Sequence, residues 1–159
     1  MDDRAIEIGA VCIENGVVVD HFQELMYPHK RISRFIGGYN LVAHNASFDK
    51  RFLDAELNRI GRSYTGKLAC SMLVARRVYQ DAPNHKLGGL IKYTNIPSDG
   101  TFHRALYDSE MTAKLWLNML DMIKKDYGVA GIKFDLLAKL AKIKKSKVHG
   151  FMKAVRENK

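Results

Sequence analysis

The chain has 159 residues, 47% hydrophobic and 27% charged, the size and composition of one globular domain with a single sizeable core. No apolar run approaches the ~20 residues that cross a bilayer, and Met1-Asp2-Asp3-Arg4 has none of the character of a secretory leader, so no membrane partner is expected. The net charge of +9 is uneven: residues 1–127 carry 17 Lys and Arg against 15 Asp and Glu, and residues 128–159 carry 9 against 2. Such a basic segment beside a near-neutral one points to a polyanionic partner such as nucleic acid, or to a lysine-rich helix that is merely solvated. Cys12 and Cys70 lie in apolar stretches without metal-ligand spacing, which fits small buried thiols in a reducing, cytoplasmic compartment.

In chain order, Ile6 to Ile13 reads as a buried strand, Asn15-Gly16 as a hairpin turn, and Val17 to Met26 as the returning strand. Leu41-Val42-Ala43 is a short buried strand running into His44-Asn45. A helix follows, with Ser47 or Asn45 as its N-cap, Phe52, Leu53, Leu57 and Ile60 as its inner stripe, and Gly61 as its stop. Leu68 to Tyr79 reads as helical, with Cys70-Ser71 able to close a short strand, and Lys86 to Tyr93 as another short helix. Asp99-Gly100 marks a turn before Phe102-His103. A long helix from about Ala105 to Lys125 shows Lys114, Asn118, Asp121 and Lys125 on its polar face. Asp108 instead aligns with Leu115 and Met119 at the head of the inward stripe, where an acid must be paired, protonated or metal-bound. Beyond Gly128 comes a helical stretch, Phe134, Leu136, Leu137, Leu140 and Ile143, followed by Lys144-Lys145-Ser146-Lys147.

Two acids stand out by position. Asp49 sits in the first turn of a helix directly after a buried strand, and Asp108 in the first turn of another, five residues after His103. Either alone could simply complement a helix dipole. The His-x4-Asp spacing decides little, because His44 and Asp49 repeat it. The surrounding order says more. Leu41-Val-Ala-His-Asn-Ala-Ser-Phe-Asp-Lys-Arg-Phe-Leu53 resembles the second motif of the DEDDh-type 3′-to-5′ exonucleases, and His103-Arg-Ala-Leu-Tyr-Asp108 resembles the third. His85-Lys-Leu-Gly-Gly-Leu90 with Tyr93 and Ile96 is similar to the family's short helix and loop, and Arg4 to Val11 to its second strand.

That resemblance, over roughly residues 4–125, implies an α/β fold of RNase H-like type, a mixed sheet flanked by helices. Residues 1–127 would form the exonuclease core and 128–159 a basic helical C-terminal extension. It implies Asp49 and Asp108 as metal ligands, His103 as general base, and His44 and Asn45 as residues that order the site or touch the terminal nucleotide. The cofactors implied are Mg²⁺ or Mn²⁺, two ions in a complete site, because hard cations prefer carboxylate oxygens and a pair of them can activate water and stabilise the leaving oxygen. A histidine near its ordinary pKa can take the water's proton at neutral pH. The implied substrate is a single-stranded DNA or RNA 3′ end, the product a nucleoside monophosphate, and a DNA polymerase a further partner.

The family's first motif, an Asp-x-Glu on the central first strand, should precede Arg4, yet neither Asp2 nor Asp3 has a Glu two positions later. The connection from Lys30 to Gly38 is also shorter than the family's. Losing a central strand would strand buried backbone groups at about 1–3 kcal/mol each, so these residues are expected to belong to a longer protein. Two ions need more carboxylates than Asp49 and Asp108 provide. The 159 residues alone are therefore expected to be inactive and a longer protein with the motif active; a catalytically inactive relative that binds nucleic acid or assists a polymerase is the alternative.

Overall fold

The computed structural model describes residues 13–14, 17–18, 33–99, 105–129 and 131–157. Strands β1 (Ile13–Glu14) and β2 (Val17–Val18) pair antiparallel, Ile13 opposite Val18 and Glu14 opposite Val17. Asn15 and Gly16 separate them, as the hairpin reading requires. The rest of the two long strands expected over residues 6–26 lies outside the described residues.

The sheet that positions the site is β3 (Leu41–Ala43) beside β4 (Leu68–Cys70), parallel, with Leu41 opposite Leu68 and Ala43 opposite Cys70. Helix α1 (Ser47–Arg59) lies between them in sequence, and α2 (Ser71–Val78) starts directly after β4. Of the two readings of residues 68–79, the structure takes the one in which Cys70-Ser71 closes a short strand: the first three residues are strand and the helix follows. Three residues are too few to show a period of two, and each of them is apolar enough for either structure. At the head of the sheet the Leu41 N–H donates to the Lys67 carbonyl at 2.8 Å, while the Tyr64 hydroxyl donates to the carbonyls of Tyr39 and Lys67.

Alternation along β3 splits the interior in two. Leu41 faces a small cluster with Ile36, Leu53 and Leu57, and Val42 faces the main core with Val74, Leu90, Met111 and Leu115. All three β3 residues are buried, as a parallel strand covered on both sides must be. Helix α3 (Leu87–Tyr93) and the long α4 (Ala105–Tyr127) close the main core, with Met111, Leu115, Met119 and Ile123 buried at four-residue steps. Helix α5 (Phe134–Leu140), a 3-10 turn (Lys145–Lys147) and α6 (Val148–Glu157) follow. Their Leu137, Leu140, Val148 and Met152 enter the same main core, so this basic segment is packed onto the α/β unit. No helix among the described residues is long and apolar enough to cross a membrane. The architecture is the expected one: a mixed α/β arrangement whose small parallel sheet is flanked by helices.

Candidate active site

The carboxyl end of β3 is where the chain concentrates its polar chemistry. After buried Ala43, Asn45 adopts a left-handed backbone (φ 68°), a conformation asparagine tolerates better than most residues. Its carbonyl accepts the Phe48 N–H at 3.1 Å, and the Ala46 carbonyl accepts the Lys50 N–H at 2.9 Å. Backbone bonds therefore start α1. Ala46 occupies the cap position in helical conformation and no side chain caps the helix, which corrects the expectation that Ser47 or Asn45 would do so. The other end behaves as read: Gly61 is left-handed (φ 65°), its N–H bonds to the Asn58 carbonyl, and the Arg62 N–H reaches the Leu57 carbonyl. That pair of bonds is the glycine-closed helix terminus.

This turn places Asp49 in the first turn of α1, half-buried. Burial pushes its carboxyl pKa above the ordinary aspartate value, opposed only in part by a hydrogen bond from its own backbone N–H. No ion pair to Asp49 occurs among the described residues, and the neighbouring Lys50 pairs with Asp54. A desolvated carboxylate without a cationic partner is a group whose ionised form needs a cation. Phe48 and Phe52 flank it on the surface, their ring centroids 4.8 Å apart. Phe52 was expected inside. Leu53 and Leu57 are buried and Ile60 half-buried, whereas Phe52 is 44% exposed because it shares a face with Phe48, four residues back.

His44 is the joint of the site. Its Nε2 lies 3.0 Å from the His85 carbonyl and its Nδ1 2.9 Å from the Ser71 hydroxyl. A carbonyl only accepts, so Nε2 carries the proton, and in the neutral ring Nδ1 accepts from Ser71. Ser71, fully buried, also lies 3.3 Å from the Ala43 carbonyl, and His85 Nε2 donates to the Tyr79 carbonyl at 3.0 Å. Burial lowers the His44 pKa; the His85 carbonyl and the charge of Asp108 work against that shift, while His85 and Arg76 add to it. Asp108, in the first turn of α4 and half-buried, is therefore close enough to His44 for its charge to be felt there. Asp49 thus lies in the first turn of the helix that follows β3, and the charge of Asp108 reaches His44 at the end of that strand. Asn45 is there too, exposed. His103 and the Asp99-Gly100 turn's second residue lie outside the described residues. Among the described residues no group of three or more His, Cys, Asp or Glu side chains could hold a metal ion; Asp49 and Asp108 are oxygen ligands of the type that hard cations prefer.

Ser71, His85 and Tyr79 were not singled out from the sequence. The available signal was Ser71, a polar residue inside the apolar run 68–79 that must find a partner once buried. That partner is 27 residues away, so no local pattern names it.

The family model described as Exonuclease (RNase_T) matches residues 29–116, more than half of the chain, including Asp49, His103 and Asp108. The chain belongs to this exonuclease family, of the DEDD group in the RNase H-like superfamily. It is 29% identical over 153 residues to "DNA polymerase III PolC-type" of Caldanaerobacter subterraneus subsp. tengcongensis, covering 79% of this chain and 11% of that protein. The Bacillus cereus protein of the same description is 29% identical over 155 residues, with 79% and 11% covered, and that of Staphylococcus aureus 28% over 152, with 77% and 10% covered. The chain thus spans about a tenth of the length of these curated relatives. No solved structure matches.

Proposed function

We propose that this chain is the 3′-to-5′ exonuclease portion of a DNA-processing protein, hydrolysing phosphodiester bonds at single-stranded 3′ ends with Mg²⁺ or Mn²⁺ and releasing nucleoside monophosphates. The polymerase names of its relatives favour DNA over RNA and a proofreading or repair setting in the cytoplasm. One observation supports the reading: His44, at the end of β3, feels the charge of Asp108, and Asp49, half-buried with its ionised form disfavoured, opens the helix that follows the same strand.

Asp49 and Asp108 would hold the metal, with two ions in a site completed by further carboxylates. Bound there, such ions supply an activated water and offset charge on the attacking and leaving oxygens. His103 would act as general base toward the attacking water. His44, with both nitrogens committed within the protein, holds β3, α2 and the 85 loop in register and so fixes where Asp49 points. Exposed Asn45 is the residue of this turn able to meet a terminal nucleotide. The second reading, an inactive module that grips 3′ ends, is favoured by the ligand count, since no third ligand joins the two acids among the described residues.

The test compares end-labelled single-stranded DNA and RNA with Mg²⁺, Mn²⁺ or EDTA, using this chain and any longer protein that carries it, with Asp49→Ala and His103→Ala as controls. Metal-dependent release of monophosphates, lost in both variants, is expected. Degradation that survives chelation, or that both variants retain, removes the reading. Tight 3′-end binding without turnover by either protein establishes the inactive module.

A further inference from the structure

The register of the parallel sheet reaches one residue beyond the strands. Ala43 stands opposite Cys70, so the residues that follow them, His44 and Ser71, emerge side by side at the strand end and meet at 2.9 Å. We infer, granting the exonuclease reading, that Ser71 is a positioning residue for the hydrolysis: its hydroxyl clamps the His44 ring, and the clamped ring holds the turn that leads into the helix of Asp49.

Serine near a helix start commonly turns its hydroxyl onto the local backbone. Ser71 opens α2 and is fully buried, yet its hydroxyl reaches across to the neighbouring strand end, 27 and 28 residues back in sequence. Two acceptors lie within its reach, His44 Nδ1 at 2.9 Å and the Ala43 carbonyl at 3.3 Å. A hydroxyl carries one proton, and the nearer acceptor takes it. The His85 carbonyl, which only accepts, keeps the ring proton of His44 on Nε2. Ser71 then satisfies the Nδ1 lone pair that this tautomer leaves bare, so the two bonds together fix both the tautomer and the orientation of the ring.

The opposite jaw of the clamp is itself braced. While the His85 carbonyl accepts from His44, the His85 ring donates to the Tyr79 carbonyl at 3.0 Å. Asn84 beside it accepts the Lys86 N–H at 3.1 Å, and its side chain fills the space over Gly89, where an added Cβ would collide with it. The turn that the ring holds has few other ties. No side chain caps α1, Asn45 is exposed with a left-handed backbone, and the turn closes through backbone bonds. His44 is therefore the polar side chain that anchors this turn to α2 and to the 85 loop. Without the Ser71 hydroxyl the ring keeps one bond and can swing about it. The turn then loses its fixed position, and with it the placement of a carboxylate that must meet a metal and a phosphate together.

Two readouts separate this clamp from packing alone. Long-range ¹H–¹⁵N spectra of the full chain at about pH 8, where histidine is neutral, read the His44 ring. Ser71→Ala should shift the Nδ1 resonance from its hydrogen-bonded position toward that of a free lone pair, with Nε2 still protonated. In an active protein carrying this chain, Ser71→Ala should lower kcat about 10–100-fold, as loss of an outer partner of a metal site does. Its KM should stay within about threefold of the parent's, since positioning acts on the transition state. Ser71→Thr keeps the hydroxyl and should restore both readouts, whereas Leu140→Ala loosens the main core and should move neither. An unmoved resonance or a parental kcat in Ser71→Ala overturns the inference. So does a Ser71→Thr protein no better than Ser71→Ala, or an equal loss of kcat in Leu140→Ala. A parent that releases no nucleotide while the resonance still shifts refutes the exonuclease reading, and the positioning role with it, and leaves the clamp standing.

Discussion

The end of β3 and the outer face of α6 handle charge in opposite ways. At the strand end, Asp49 and Asp108 are half-buried, and Asp49 is held in a setting that disfavours its own ionisation. On α6 and in the turn before it Lys144, Lys145, Lys147 and Lys153 are exposed, where they stay hydrated and charged and salt screens them beyond about 8–10 Å. The contrast teaches which chemistry each region suits. Desolvated acids gain from a cation brought to them, and solvated lysines gain from an anion that releases its counterions. In the proposed reaction a phosphodiester would offer the anion, and the acids would hold a divalent metal.

The comparison breaks first at the acids. In the active protein, Asp108→Ala and Asp49→Ala should each lower kcat by about 10³-fold or more, since metal stabilisation of transition-state charge is worth several kcal/mol and each 1.36 kcal/mol is a factor of ten. Single-turnover rates on a 3′-labelled strand decide this. The basic region is tested next by its packing. Leu140→Ala should cost about 2–5 kcal/mol in denaturant unfolding, because Leu140 is 1% exposed within the main core; a negligible loss would mean that α5 and α6 are not part of that core.

A smaller effect belongs to His44. His44→Gln removes one or both hydrogen bonds to a fully buried serine and a carbonyl, a loss of about 1–3 kcal/mol. Its pH signature is more specific. Because burial lowers the folded-state pKa below 6.5, the unfolded chain takes the proton first. Stability contributed here is full above pH 6.5 and declines as pH falls from 6.5 toward the folded value. Melting curves across that window should slope in the parent and flatten in the variant. The smallest effect has the opposite sign. Asp49 is raised in the folded state, so its ionised form is a burden above its folded pKa that is relieved as pH falls toward 3.8. Metal-free Asp49→Asn should therefore melt slightly higher than the parent at neutral pH while losing activity.

How much of this was legible in sequence differs between elements for physical reasons. The β3–α1 junction, the Gly61 stop and the inward stripe of α4 show periodicity or turn chemistry over many residues, and the structure carries all three. The cap of α1 was misread because a left-handed Asn45 lets backbone groups start the helix without a side chain. Phe52 was misread because it lies one residue beside the true stripe and finds Phe48 on the surface. Asp49 and Asp108 could be singled out, but the bracing of His44 by Ser71 and the His85 carbonyl joins positions 27 and 41 residues apart. Only the fold brings those together.

The central claim is that Asp49 and Asp108 serve one cation. Titrating Mn²⁺ and reading free ion by electron paramagnetic resonance, in the parent chain, Asp49→Asn, Asp108→Asn and the double variant, tests it most directly. Each single change should weaken binding about tenfold or more, and the double should be no worse than either, as members of one coupled site behave. Unchanged binding in either single variant, or losses that multiply in the double, would contradict a shared ion.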